Sequence, residues 1–150
     1  MRTFLGAIAV ASLALSTTAS DAPEAVVKYR QSVMKAMAAH MTAASLIVKK
    51  QAGTRARLAA HADAIHALSD DLQSLFPASS GPEKVKTASL PAVWQRQQDF
   101  GTAAASLRNE SAKLATLARH GDEHALPPQF DALAATCSSC HKIFRARDSD

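Results

Sequence analysis

Near the end of the chain stand two cysteines and a histidine, in the order Cys137-Ser138-Ser139-Cys140-His141. The 150-residue chain has no other cysteine. Two thiols three residues apart with an imidazole directly after the second form C-x-x-C-H, the spacing by which a c-type haem is attached. On a helix, positions three apart lie one turn apart on one side, so both sulfurs reach one edge of a flat macrocycle and add to its two vinyl groups as thioethers. His141 follows Cys140 at once, and its imidazole is placed to come under the iron as the proximal ligand. Two other chemistries use these residue types. A dithiol–disulfide site normally opens a helix in a βαβ setting, and no such setting is legible here. Zinc would need a fourth ligand, and no further Cys or His stands close by at helical spacing. Covalent haem is therefore the expectation.

Four helical segments must position the motif. The first follows Asp21, whose spacing to Glu24 predicts a capping box, with Pro23 in the first turn. Its stripe is Val27, Arg30, Met34, Met37, Met41, Ala44 and Val48, in steps alternating between three and four, as a helix buried along one side requires. Lys49 and Lys50 suit its C-terminus, and Gly53 ends it. The second stripe is Leu58, His61, Ile65, Leu68, Leu72 and Leu75, stopped by Pro77. Residues 77–90, rich in Ser, Gly, Pro and Lys, read as a long loop. Pro91 opens a third helix, running through Val93, Phe100, Leu107 and Leu114 to a stop at Gly121. Pro127 and Pro128 open a fourth, which carries Phe130, Leu133, Cys137, Cys140, His141 and Phe144. With no strand pattern, this predicts an all-α, antiparallel four-helix bundle.

Residues 1–20 read as a signal peptide, with Arg2 as the positive start and Phe4 to Leu15 as the apolar run, too short to span a bilayer. Cleavage is placed between Ala19 and Ala22, leaving residues 21–150 as one exported domain, periplasmic and without a membrane span. Hydrophobic residues are 47% of the chain and charged residues 20%, enough apolar surface for a core and too little polarity for a disordered chain. The net charge of +4 is spread out, so no nucleic-acid partner is expected. No catalytic set is legible either, so the chain is not read as an enzyme. His40, His61, His66, His120 and His124 show no pairing pattern for a second metal; His120 and His124 are four apart but straddle Gly121.

The chain resembles the class II c-type cytochromes, the cytochrome c′ family and its low-spin relatives. The resemblance rests on the C-x-x-C-H near the C-terminus with Lys142-Ile143-Phe144-Arg145 after it. It rests also on Lys28-Tyr29-Arg30-Gln31-Ser32-Val33-Met34, and on Leu90-Pro91-Ala92-Val93-Trp94. It implies one haem c per chain, held between helices, and often a homodimer. It implies that Arg30 and Gln31 lie near a haem propionate, that Arg145 covers the proximal side, and that Met34 faces the open side of the iron. Leu75-Phe76-Pro77 and Ala88-Ser89-Leu90-Pro91 look more like the low-spin branch, in which Met34 is the sixth ligand. The expected function is then electron transfer with periplasmic redox partner proteins. The alternative is a five-coordinate cytochrome c′ with a vacant distal site that binds NO or CO.

Overall fold

The computed structural model describes residues 21–147, so the signal-peptide reading of residues 1–20 lies outside the described residues. Helix α1 runs Pro23–Val48 and α2 Arg55–Ser69, followed by a turn of 3-10 helix at Leu72–Leu75. A short α3, Ala92–Gln95, leads into α4, Gln97–His120, and α5 runs Leu126–Phe144. The four long helices pack antiparallel, as the apolar stripes require. Packing is most extensive between α2 and α4, then between α4 and α5 and between α1 and α2; α1 and α5 meet over little of their length. That sparse seam is where a space opens in the bundle.

The closed part of the core is aliphatic. Leu58, Ile65, Leu114 and Leu133 are fully buried, and Ala44 and Ala62 let the helices approach between them. Each large side chain buried in this way contributes about 1.5–3 kcal/mol. Arg55 reaches from the start of α2 to the end of α4, where its guanidinium donates to the carbonyls of Ala118 and Leu117, both at 2.7 Å, and to that of Gly121. A cation at a helix C-terminus meets both the negative end of the dipole and the orphan carbonyls. The α1–α2 turn passes through Lys50 and Gly53, both at positive φ (57° and 82°); at Gly53 the absent side chain makes that backbone easy.

Three local expectations are corrected. Asp21 and Glu24 form no capping box: Ala22 is the N-cap, and no side chain caps the helix. Pro23 in the first turn already removes one of the orphan donors that such a box would satisfy. The third helix is not continuous from Pro91. It breaks at Arg96 (φ −122°, ψ 52°), because Trp94 ties α3 to the preceding loop through hydrogen bonds from Nε1 to the carbonyls of Phe76 (2.9 Å) and Pro77 (3.2 Å). The second helix stops at Ser69, short of Pro77, and Leu72–Leu75 turn as 3-10 helix. Beyond the end of α5 lies Arg145. It is extended (φ −121°, ψ 133°) and pairs with Ser89 in a two-residue antiparallel bridge, flanked by Leu90 N–H to Phe144 O (2.9 Å) and Ala146 N–H to Ala88 O (2.8 Å). The long loop is thus stitched to the end of the motif-bearing helix.

Candidate functional site

Between α1, α4, α5 and the 72–90 segment lies a cavity of about 660 Å³. All six residues singled out from the sequence, Cys137, Cys140, His141, Arg30, Gln31 and Met34, line it. The helix α5 supplies the first three on one wall, and α1 supplies the others across the space. The cavity separates two apolar clusters. Half-buried Cys137 packs against the aliphatic core, and Cys140 against Val93, Phe100 and Phe144. Phe76, Phe100 and Phe144 interlock edge to face, at centroid distances of 4.8 and 5.2 Å, and form a stiff end wall.

The chemistry of the wall bears on the three readings of the motif. The cysteines are free thiols. Burial pushes the Cys140 thiol up to about 11, with the neighbouring Cys137 adding to the shift, and burial raises Cys137 as well. Thiols held protonated in this way are poor nucleophiles for disulfide exchange. Among the described residues, no group of three or more His, Cys, Asp or Glu converges as a metal site. Burial, and then the positive Arg145, hold the His141 imidazole below its ordinary range, so it is neutral near pH 7 with a ring nitrogen free to ligate. A volume within the ~300–1,000 Å³ span of cofactor pockets, mostly apolar walls, two thiols and a neutral imidazole on one wall together fit a covalent haem.

Arg30 is only 3% exposed. Among the described residues its guanidinium forms no ion pair with a carboxylate; neutral acceptors surround it instead. It donates to Ser80 Oγ (2.8 Å), Thr87 Oγ1 (2.9 Å) and the Leu75 carbonyl (3.1 Å), and it sits 4.5 Å from the Phe76 ring centroid. Burial lowers its pKa from the ordinary value. The sequence pointed to Arg30 as a cation interrupting an apolar stripe, but Ser80 and Thr87 carried no signal. Polar loop residues look alike until the chain is folded.

Outside the cavity, two of the histidines in which the sequence shows no pairing pattern for a metal, His40 and His61, meet with Nδ1 atoms 3.0 Å apart. They lie 21 positions apart on different helices, so no single-helix periodicity could reveal the pair.

Residues 25–145 match the family described as Cytochrome C'. The cytochrome c' of Pararhodospirillum photometricum is 37% identical over 123 residues, covering 82% of this chain and 98% of that one. The cytochrome c' of Rhodospirillum rubrum is 32% identical over 147 residues, covering 97% and 99%. Among solved structures, the nitric oxide complex of a point mutant of cytochrome c prime from Alcaligenes xylosoxidans superposes with a TM-score of 0.73 at 29% identity, covering 84% of this chain and 97% of that one. A cytochrome c' with ligand-controlled dimer dissociation superposes at 0.76 with 26% identity, covering 86% and 100%.

Proposed function

Since the chain belongs to the cytochrome c′ family, whose members carry one covalent c-type haem and are not enzymes, we propose that it is a periplasmic haem protein that binds a diatomic gas at an open distal site. When bound, the haem supplies an iron that takes NO or CO and exchanges single electrons. Cys137 and Cys140 would hold it through two thioethers, and His141 through its free ring nitrogen. The neutral state of His141 suits that role, because a protonated imidazole has no lone pair to give. Arg30 and Gln31 would meet a propionate at the α1 side, where the Arg30 cation already stands buried among neutral acceptors. The apolar side chains of α1 and α4 exclude water from the cavity. The observation that carries this reading is the placement of the two thiols and His141 on one cavity wall, with apolar α1 residues, Met34 and Met37 among them, lining the space across from it.

A second reading, electron transfer to periplasmic redox partners with Met34 as sixth ligand, is favoured by one observation: the Met34 thioether lines the same cavity. The resemblance to a nitric oxide complex supports the gas-binding reading better. Absorption spectra of the haem-loaded protein, ferric, ferrous and with CO, separate the two. A high-spin ferric spectrum and ready CO binding by the ferrous protein are expected. A low-spin spectrum that becomes high-spin in Met34→Leu would overturn the gas-binding reading and establish Met34 as a ligand. Dimerisation through a second copy is expected from the dimeric relative, and sedimentation with and without CO tests it.

A further inference from the structure

Behind the cavity wall, the seam between α1 and α2 brings together the two histidines that the sequence keeps apart. His40 and His61 meet head-on, Nδ1 to Nδ1 at 3.0 Å, with ring centroids 5.2 Å apart and planes tilted by 52°. The contact is a single hydrogen bond, in which one neutral ring donates its Nδ1 hydrogen and the other accepts on its Nδ1 lone pair. Both side chains are half-buried, so packing fixes the pair while protons from solvent still reach it.

Such a bond has a definite proton capacity. One added proton leaves it intact, since a cationic ring still donates to a neutral one and the bond becomes charge-assisted. A second proton fills both Nδ1 atoms, sets N–H against N–H and puts two cations in contact. The pair backs directly onto the cavity. Met37, one turn before His40, and Met41, the next residue, line that space, as does Ile65, one turn after His61. We propose that His40 and His61 form a proton-operated brace, which holds α1 against α2 while at least one ring is neutral and releases the Met37–Met41 wall of the cavity when both rings are charged.

The surroundings set the direction. Burial, then His40, then Arg57 one turn earlier, hold the His61 imidazole below its ordinary range, so the doubly charged pair belongs to acid solution and the brace is closed near neutral pH. Among the described residues, no carboxylate forms an ion pair with either ring to hold the second charge. Two α4 cations that reach α2, Arg108 and Arg119, are engaged there by Asp70 and Asp63. His66 stands apart, with Nδ1 3.0 Å from the Arg108 carbonyl. The wall that the brace holds lies across the cavity from His141, so the charge on the seam is coupled to whatever fills the space. On the gas-binding reading, a wall that backs away gives the ligand more room, and affinity rises on acidification. Only this last consequence rests on that reading.

The test uses the haem-loaded ferrous protein under CO, followed by nuclear magnetic resonance and by CO titration between about pH 7 and 5. At neutral pH the imidazole nitrogen shifts should show one Nδ1 protonated and its mate bare. On acidification both should become protonated, and the Met37 and Met41 methyl signals should shift in the same window. CO affinity should rise about fivefold or more, the low end of ordinary coupling between sites. In His61→Asn the amide can turn its oxygen or its nitrogen towards His40, so the seam stays bonded at either pH. The methyl shifts and the rise in affinity should then both vanish, whereas His66→Gln should keep them. Two bare Nδ1 atoms at neutral pH, or methyl signals that stay fixed while both rings become protonated, would overturn the proposal with no variant needed. So would a pair not doubly protonated at about pH 5, methyl shifts as large in His61→Asn as in wild type, or a CO affinity flat with pH. Methyl shifts that follow the second proton in a protein that binds no CO would support the brace and overturn the gas-binding reading instead.

Discussion

The two apolar clusters of this chain are built differently. In the larger one, Leu58, Ile65, Leu114 and Leu133 from three helices interdigitate until none of them meets solvent. In the smaller one, Val93, Phe100 and Phe144 are backed by Phe76 and Trp94, and the rings touch at their edges without filling the space in front of them. The first is dense because branched aliphatic side chains close every gap between helices. The second is rigid but leaves room, because a loop held by Arg30 and Trp94 takes the place of a packed helix. A bundle can thus keep a cavity without becoming soft, provided the wall of that cavity is tied by hydrogen bonds as well as by packing.

The largest effect expected at the open region is chemical. Replacing both thiols, Cys137→Ser with Cys140→Ser, should abolish haem that survives denaturing electrophoresis, as read by peroxidase staining. Full staining of that variant would remove the site. Next comes the contrast in packing. Leu133→Ala in the dense cluster should lower stability by about 2–5 kcal/mol in denaturant unfolding. Leu107→Ala, in the same aliphatic cluster but at the cavity wall and 9% exposed, should cost less; equal losses would show that the cavity does not loosen the packing beside it. Arg30→Met leaves Ser80 Oγ and the Leu75 carbonyl without the guanidinium donor and Thr87 Oγ1 with only the Ser89 N–H, for a loss of about 1–3 kcal/mol. Limited proteolysis should then cut first within residues 72–90. Unchanged cleavage would show that Trp94 and the Ser89–Arg145 bridge hold the loop alone.

The smallest effect is a pH dependence in the dense half. The fold lowers the His61 pKa from 6.5, mainly by burial and then through His40 and Arg57. The unfolded chain therefore binds more protons just below that value, and stability rises with pH through the window. The part contributed by His61 is present above pH 6.5 and is lost as pH falls. His61→Gln should flatten the slope of denaturation midpoint against pH between about 5 and 7, with salt held constant. An unaltered slope would place the titration on another group.

What the sequence by itself determined is whatever is local or periodic. The C-x-x-C-H run, the helix stripes, the stop at Gly121 and the lone cation of Arg30 are all read within one segment, since helical spacing turns sequence distance into position on a face. The break at Arg96 was hidden, because it comes from Trp94 reaching Phe76 and Pro77 across a loop. The extended Arg145 was hidden as well, since its course is set by Ser89, 56 residues earlier, and so was the meeting of His40 with His61. Only the tertiary structure decided these, and with them the cavity itself. A hydrogen bond between distant segments leaves no period in the chain, and an empty space belongs to no residue.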